Sequence, residues 1–313
     1  MISVLFTDTH FGVKNNSINW LKSQLDFIYK QLIPHLKQLK KKDEVRLVHL
    51  GDVFDSRSTI STMVATEVRK AFESLRKEVD DFIIIAGNHD YYSPNSDEVN
   101  SIDLLLGGLE IILVTKHINE TKEGIIYIRW YKYGEDIGDR MLKIENAFVH
   151  ADIVTQPIPY KSVTVFSGHM HIPHIDGRCM NLGSCYALNF ADSNQERGYY
   201  VFDGNITKFF PNKASIRFWR LYDEEILDPK YPMNIGDYIE LYISQENMSD
   251  ERYIDRLNSM VSTYKNIWVI PQTSETLIEG LEKVDGFDIK DITLSMIPNE
   301  LKDKFGEVLN RVE

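Results

Sequence analysis

The sequence predicts an α/β fold in which two β-sheets pack as a sandwich flanked by helices, followed by a small α+β cap domain. Three observations support this prediction. Short apolar runs alternate with long amphipathic stretches near the N-terminus, short strands joined by turns follow, and the last third turns acidic. The 313 residues are 43% hydrophobic and 26% charged, which is the balance of a chain that buries a sizeable core in one large or two ordinary domains.

The N-terminal elements are predicted from the spacing of apolar residues. Compact runs rich in β-branched residues predict three buried strands, at 2–6, 45–50 and 82–86. Two amphipathic stretches between them, 18–40 and 59–79, are predicted to be helices, and the first is expected to bend or break near Pro34, which has no backbone N–H. Strands that alternate with helices pair in parallel, so the helices should pack on the sheet.

The middle of the chain is predicted to form a second sheet. Seven short runs after about residue 110 are predicted to be strands, at 111–114, 125–130, 147–150, 163–167, 178–181, 199–202 and 206–210. Asp203-Gly204-Asn205 separates the last two and indicates a hairpin. We expect this sheet to be less parallel than the first and to pack against it.

The last third differs in charge from the rest of the chain. Residues 215–313 contain 11 basic and 20 acidic residues, which is most of the total net charge of −12. Strands at 238–244 and 267–270 and a helix at 250–264 are expected there. We therefore predict a main domain at 1–214, a cap domain at 215–285 and a C-terminal segment at 286–313. The sequence has no cluster of basic residues of the kind found in proteins that coat DNA. This does not argue against an enzyme that binds phosphate through metal ions.

Cysteine usage and hydropathy indicate a cytoplasmic protein with no membrane association. Cys179 and Cys185 form neither a disulfide framework nor a metal-binding quartet, and we expect reduced thiols. No apolar run approaches the roughly 18 residues of a membrane-spanning helix, and the N-terminus has no signal-peptide pattern.

Five short polar motifs each follow an apolar strand. They are Asp8-Thr-His10, Gly51-Asp52-Val-Phe-Asp55, Gly87-Asn88-His89-Asp90, His150, and Gly168-His169-Met-His171. Ligand sites gather at the carboxyl ends of strands in α/β sheets, and Asp, Asn and His suit divalent manganese, iron or zinc. A single such motif is common by chance and is usually structural. Five in order predict a metal site.

The five motifs, in this order, resemble those of the calcineurin-like metallophosphoesterases, which hold two metals between two packed sheets. A narrower resemblance is to the SbcD-type nucleases of double-strand-break repair, including the recombination-nuclease subunits of tailed bacteriophages. It is carried by residues 51–57, 165–171 and 181–186 and by Arg197-Gly198. The resemblance covers roughly residues 1–215.

The resemblance implies a role for each motif residue. Two divalent metal ions, manganese or alternatively magnesium, would polarise a phosphodiester, generate a bound hydroxide and stabilise the departing oxygen. Asp52 would bridge both metals, because a carboxylate has two oxygens. The remaining ligands would be Asp8, His10 and His171 for one metal and Asn88, His150 and His169 for the other.

The catalytic and substrate-binding residues are also implied by the resemblance. His89 would be the catalytic histidine, and Asp90 would orient its imidazole through the other ring nitrogen. Arg57, Ser184 and Tyr186 are candidate substrate contacts. For Tyr186, as for Tyr91 and Tyr92, stacking on bases and packing in the core both stay open.

Asp55 departs from the family pattern. Cellular SbcD-type enzymes often carry a histidine at this position, where it handles substrate near the scissile phosphate. A carboxylate there would repel phosphate, and Arg57 is a candidate to compensate.

The resulting functional hypothesis is a metal-dependent DNA nuclease that acts in recombination or repair with an SbcC-type ATPase. No Walker loop occurs in the sequence, so ATP binding would belong to that partner. The alternatives are a phosphatase or cyclic-nucleotide phosphodiesterase that uses the same metals, and a metal-bearing scaffold whose catalysis is incidental. The sequence also allows the protein to form a homodimer.

The extreme C-terminus carries an apolar pattern at helical spacing. After a plausible N-cap at Asn299, the apolar positions are Leu301, Phe305, Val308, Leu309 and Val312. Such a helix would pack on this chain's own cap domain or, as the resemblance implies, dock on the ATPase.

Overall fold

The first of two large sheets is built around the N-terminal strand. The protein is described by a computed structural model that covers residues 1–116, 119–120, 124–130, 145–153 and 163–272. The strand order is β14 (Thr207–Pro211), β13 (Gly198–Phe202), β1 (Ile2–Phe6), β2 (Val45–His49), β3 (Asp81–Ile85) and β6 (Ile112–Val114). β1, β2, β3 and β6 run parallel, whereas β13 and β14 are antiparallel additions beside β1. The three predicted N-terminal strands are confirmed.

The helices of this half cover the outer face of the first sheet, as predicted. After a single turn, α1 (Val13–Asn16), the first long helix consists of α2 (Ile18–Asp26), a π-helical segment (Phe27–Leu32) and α3 (Ile33–Lys40). Pro34 lies at the start of α3, directly after the wider π-helical turn. The helix therefore continues through Pro34 with a local change of winding rather than a break.

The second long helix, α4 (Thr62–Lys77), begins at a capping serine. Ser61 Oγ accepts a hydrogen bond from Val64 N at 3.2 Å. The predicted apolar face is buried, with Val68, Phe72 and Leu75 fully enclosed. Beyond it, the small hairpin of β4 (Tyr91–Ser93) and β5 (Ser96–Asn100) leads into α5 (Ser101–Leu106).

The second sheet is as parallel as the first, so the expectation of a less parallel sheet is wrong. Its order is β11 (His174–Asp176), β12 (Cys179–Asn181), β10 (Thr164–Gly168), β9 (Asn146–His150), β8 (Ile125–Ile128) and β7 (Asn119–Glu120). The four inner strands are parallel and only the two edge strands are antiparallel. β6 and the hairpin β13–β14, all expected here, belong instead to the first sheet, because β6 pairs with β3 and β13 pairs with the free edge of β1.

The core between the sheets follows from strand alternation. Leu5, Val48 and Ile83 of the first sheet share one apolar cluster with Phe148 and Phe166 of the second. Their sequence neighbours, such as Val4 and Leu47, point the other way into the cluster beneath the helices. Successive side chains of a strand face opposite sides, so both faces of the first sheet are buried.

A separate parallel sheet follows at the C-terminal end of the described chain. It contains β15 (Phe218–Tyr222), β16 (Tyr238–Ile243) and β17 (Asn266–Pro271), with helices α6 (Gln245–Met248) and α7 (Glu251–Val261). β15 has no counterpart among the strands predicted from the sequence. The predicted segment 286–313, including the proposed C-terminal helix, lies outside the described residues. Within the described ranges, none of the helices has the length and apolar character that crossing a bilayer requires.

Candidate metal centre

The five motifs converge because their strands are parallel within each sheet. Asp8 and His10 follow β1, Asp52 follows β2, and Asn88 follows β3. In the second sheet His150 ends β9, and His169 and His171 follow β10. The carboxyl ends of these strands therefore face one another across the sandwich, where side chains of both sheets meet.

Backbone strain is concentrated at this edge. Asp8, His10, Asp52 and His169 have φ angles of 53°, 40°, 54° and 93°, in the left-handed region that residues with a Cβ rarely adopt. Each such conformation costs on the order of 1–3 kcal/mol, and such residues cluster at functional sites. The left-handed backbone at these four residues directs their side chains into the site, at a cost in conformational energy.

One half of the site is formed by Asp8, His10 and His171. The Nε2 atoms of the two histidines are 3.1 Å apart, and each lies 3.8 Å from Asp8 Oδ1. Asp8 Oδ1 is buried and has no hydrogen-bond partner among the described residues, while Oδ2 accepts from Thr7 Oγ1 at 2.6 Å. A buried carboxylate oxygen without a donor is costly, and a cation between these three atoms would satisfy it.

The other half is formed by Asn88, His150 and His169. Asn88 Oδ1 lies 3.0 Å from His150 Nε2 and 2.9 Å from His169 Nδ1. His150 Nδ1 lies 2.7 Å from the carbonyl oxygen of Leu50. Because that carbonyl can only accept, the Nδ1 atom carries the proton and Nε2 is left to act as a ligand.

Asp52 lies between the two halves. Its Oδ2 is 3.8 Å from His10 Nε2, and its Oδ1 is 3.5 Å from His150 Nε2. The side chain is buried, and each of its two oxygens faces one half of the site. This is the arrangement that the predicted bridging role requires.

Two motif glycines are needed because side chains of the site pack against their Cα atoms. A Cβ on Gly87 would overlap Asp52 Oδ1 and the backbone nitrogen of Asp52. Gly51 has a φ of 103°, and a Cβ there would overlap the His150 ring. Substitution at either position would displace a candidate ligand, Asp52 or His150.

The electrostatics place two positive imidazoles among the carboxylates. Burial alone would lower the pKa of His10, but the carboxylates of Asp55, Asp8 and Asp52, whose oxygens lie 3.5–3.8 Å from its ring nitrogens, raise it to about 10. For His150, Asp52 likewise outweighs burial and raises the pKa to about 9. Both rings are therefore protonated at neutral pH when no metal is bound.

These shifts predict that metal binding releases protons. A metal ligand must be a neutral imidazole, so a divalent metal such as Mn²⁺ held by His10 and His150 would displace their ring protons. Manganese affinity should therefore rise between pH 6 and pH 8, by up to about tenfold per pH unit for each proton released. Calorimetric titration in buffers of different ionisation enthalpy measures the released protons directly. Binding enthalpies that do not depend on the buffer would contradict the assignment.

His89, the predicted catalytic histidine, lies beside His10 and Asp52. Its backbone N–H donates to Asp52 Oδ1 at 2.8 Å, and its ring centroid is 4.9 Å from that of His10. The ring is held by the backbone carbonyl of Asp55, which accepts from Nδ1 at 2.6 Å.

The prediction that Asp90 orients His89 is therefore wrong. Asp90 is buried and accepts hydrogen bonds from the backbone N–H groups of Val53, Phe54 and Gly87, at 2.8–3.2 Å. Burial, followed by the charge of Asp52, raises the pKa of Asp90 to about 7. Asp90 joins the loops after β2 and β3, whereas the imidazole is oriented by Asp55, a residue 34 positions earlier.

Two predicted substrate contacts are also corrected. Ser184 is 1% exposed and its hydroxyl donates to the Tyr186 carbonyl at 2.8 Å. Tyr186 is 2% exposed, with its hydroxyl between the Thr9 carbonyl and Gln24. Both side chains are closed to a substrate. Arg57 is half-buried, and its role stays a prediction.

Sequence reasoning missed an aromatic wall of the site. Trp130 packs against His169, with ring centroids 4.7 Å apart, and its backbone N–H donates to the Ala86 carbonyl at 2.8 Å. A cavity of about 140 Å³ opens beside it, lined in part by Asn88, Tyr91 and Arg129. A tryptophan at the end of a predicted strand has no motif around it, so no sequence signal marked it.

Comparison with known proteins places these motifs in a family. A family model described as calcineurin-like phosphoesterase matches residues 3–173, more than half of the chain. Exonuclease subunit 1 of Enterobacteria phage T4 is 25% identical over 232 residues, which are 66% of this chain and 67% of that protein.

Among solved structures, nuclease MPE of Pseudomonas putida is similar at 18% identity and a TM-score of 0.30, over 54% of this chain. The matched region is 61% of that nuclease, less than two thirds of its length, and at this TM-score the likeness carries no argument. The family match includes all five motifs, and the chain therefore belongs to the calcineurin-like phosphoesterase family.

Proposed function

We propose that the protein is a DNA nuclease that hydrolyses phosphodiester bonds with two divalent metals, Mn²⁺ being the first candidate. The observation that carries the proposal is Asp52, whose two oxygens face separate ligand sets and which binds the backbone of His89. The mixed carboxylate, amide and imidazole donors fit such metals. When bound, the metals would supply Lewis-acid activation of the phosphodiester and of the attacking water.

His89 would handle the proton at the leaving oxygen. Its Nδ1 donates to the Asp55 carbonyl, so Nε2 is the ring nitrogen left to give or take a proton. The Asp52 contact to the His89 backbone keeps the ring next to the metal site. Asp55 thus supports catalysis through its backbone, whatever its carboxylate does to the substrate.

A DNA substrate is supported by two further observations. The relative from phage T4 is an exonuclease subunit. Beside the metal site, Trp130 forms part of the wall of the cavity that Asn88 also lines. Aromatic side chains of this kind stack on unpaired bases without sequence preference, worth about 1–3 kcal/mol per base.

A panel of substrates tests the proposal. The purified chain with Mn²⁺ is incubated with single-stranded DNA, linear duplex DNA, a phosphomonoester and a cyclic nucleotide, with EDTA and an Asp52→Ala preparation as controls. Cleavage of DNA that both controls abolish is the expected result. Turnover of only the phosphomonoester or the cyclic nucleotide would establish the alternative enzyme class, and no turnover of any substrate would favour a scaffold.

We further propose that an SbcC-type ATPase is the partner. The T4 relative is described as a subunit, and residues 298–313 carry an apolar stripe suited to a partner's groove. Deleting 298–313 should leave metal binding and basal cleavage of single strands intact. Co-purification with the ATPase and ATP-stimulated cleavage of duplex DNA should be lost, and a truncated chain that co-purifies at full strength would contradict the assignment.

A further inference from the structure

A second cavity lies between the main domain and the C-terminal sheet. Its volume is about 440 Å³, within the roughly 300–1,000 Å³ of small-molecule sites. The walls come from the segment before β13, the segment between β14 and β15, and the loop around residue 231. None of the candidate metal ligands lines it, so it is separate from the metal centre.

Basic side chains gather at this cavity although the surrounding chain is acidic. The basic residues that line it are Arg197, Lys213, Arg217 and Lys230, against one acidic residue, Glu196. Two of the four are neutralised, since Arg197 lies 2.7 Å from Asp192 and Lys230 lies 3.5 Å from Asp228. For Lys213 and Arg217 no ion pair occurs among the described residues, although Arg217 lies near the buried Asp237, whose pKa is raised by burial and only partly lowered by the charge of Arg217.

Arg197 is a buried side chain whose hydrogen-bonding capacity is only partly used. It is 4% exposed, and its terminal nitrogens donate to the His171 carbonyl, to Asp192 and to Gln195. These bonds hold the guanidinium in one orientation. Its Nε is buried and has no hydrogen-bond partner within the described ranges. Because that atom is closed to solvent, Arg197 contributes a fixed positive group to the wall of the cavity rather than a donor that a ligand reaches.

Arg217 repeats this pattern on the other wall. Its Nε is also buried without a hydrogen-bond partner in the described part of the chain, and its guanidinium lies 5.7 Å from the centre of the Trp219 ring. Trp219 meets the half-buried Tyr231 edge to face, with ring centroids 5.8 Å apart. The cavity therefore combines donors for an anion with aromatic rings.

We propose that this cavity binds a nucleoside monophosphate. The phosphate would be held by Arg217 and Lys213 beside the fixed guanidinium of Arg197, and the base would pack against the half-buried Tyr231. Guanidinium groups recognise phosphate by paired charge-assisted hydrogen bonds, and aromatic rings accept any base by stacking. The inference goes beyond the proposed nuclease activity and does not depend on it.

The test uses the full chain in EDTA, so that no metal can hold the phosphate elsewhere. Calorimetric titrations with deoxyadenosine 5′-monophosphate, deoxyadenosine and inorganic phosphate are compared. We expect the nucleotide to bind more tightly than either fragment. Arg217→Gln should weaken nucleotide binding at least about tenfold, the effect of losing a charged hydrogen bond.

Arg256→Gln is the matched control, because Arg256 is exposed on α7, pairs with Glu224 and does not line the cavity. It should bind the nucleotide as the unmodified chain does. If Arg217→Gln fails to fold, as circular dichroism would show, Lys213→Gln at an exposed position replaces it. No nucleotide binding at millimolar concentration, phosphate binding as tight as nucleotide binding, or equal weakening in the control would each overturn the proposal.

Discussion

Replacing Asp52 with alanine is expected to abolish hydrolysis, lowering the rate by at least about 10³-fold. The two carboxylate oxygens face His10 and His150 in separate halves of the site, so one substitution removes a ligand from both. The negative charge that raises the pKa of both histidines is lost at the same time. Bound manganese per chain and DNA cleavage are measured on the same preparation.

Asp176→Ala is the matched control for this substitution. Asp176 is an exposed aspartate on β11 at the edge of the second sheet, away from the five motifs. The control should retain metal content and activity. Near-normal hydrolysis by Asp52→Ala, with a folded control, would rule out a shared bridging carboxylate.

Replacing His89 with alanine should separate chemistry from metal binding. His89 contacts the site through its backbone N–H to Asp52, a bond that alanine keeps. Metal content should therefore be unchanged while turnover falls about 10²–10⁴-fold, the usual contribution of a positioned acid or base. The measurements are the metal content and the single-turnover rate at saturating Mn²⁺.

His174→Ala provides the comparison for His89, since His174 is an exposed histidine on β11. Its rate should match that of the unmodified chain. A His89→Ala protein that lost manganese but recovered its full rate at high Mn²⁺ would identify His89 as a ligand rather than a proton donor.

The local sequence pattern is sufficient to predict those helices and strands whose signals lie close together in the chain. Apolar spacing predicts a helix at 59–79, and the structure has it at 62–77, capped by Ser61. The β13–β14 hairpin was predicted from Asp203-Gly204-Asn205, and the two strands pair as expected. The same pattern could not say which sheet this hairpin joins, because a strand's periodicity specifies its buried face and not its neighbour.

The sequence by itself determined the residue types of the candidate site and their order along the chain. Each motif follows a strand, and parallel strands bring their carboxyl ends together, so the convergence of Asp8, Asp52 and His150 was predictable. Only the tertiary structure decided that the Asp55 carbonyl, rather than Asp90, orients His89, and that Tyr186 is buried. These contacts join residues far apart in the chain, and their geometry depends on how sheets and loops pack, which no local pattern specifies.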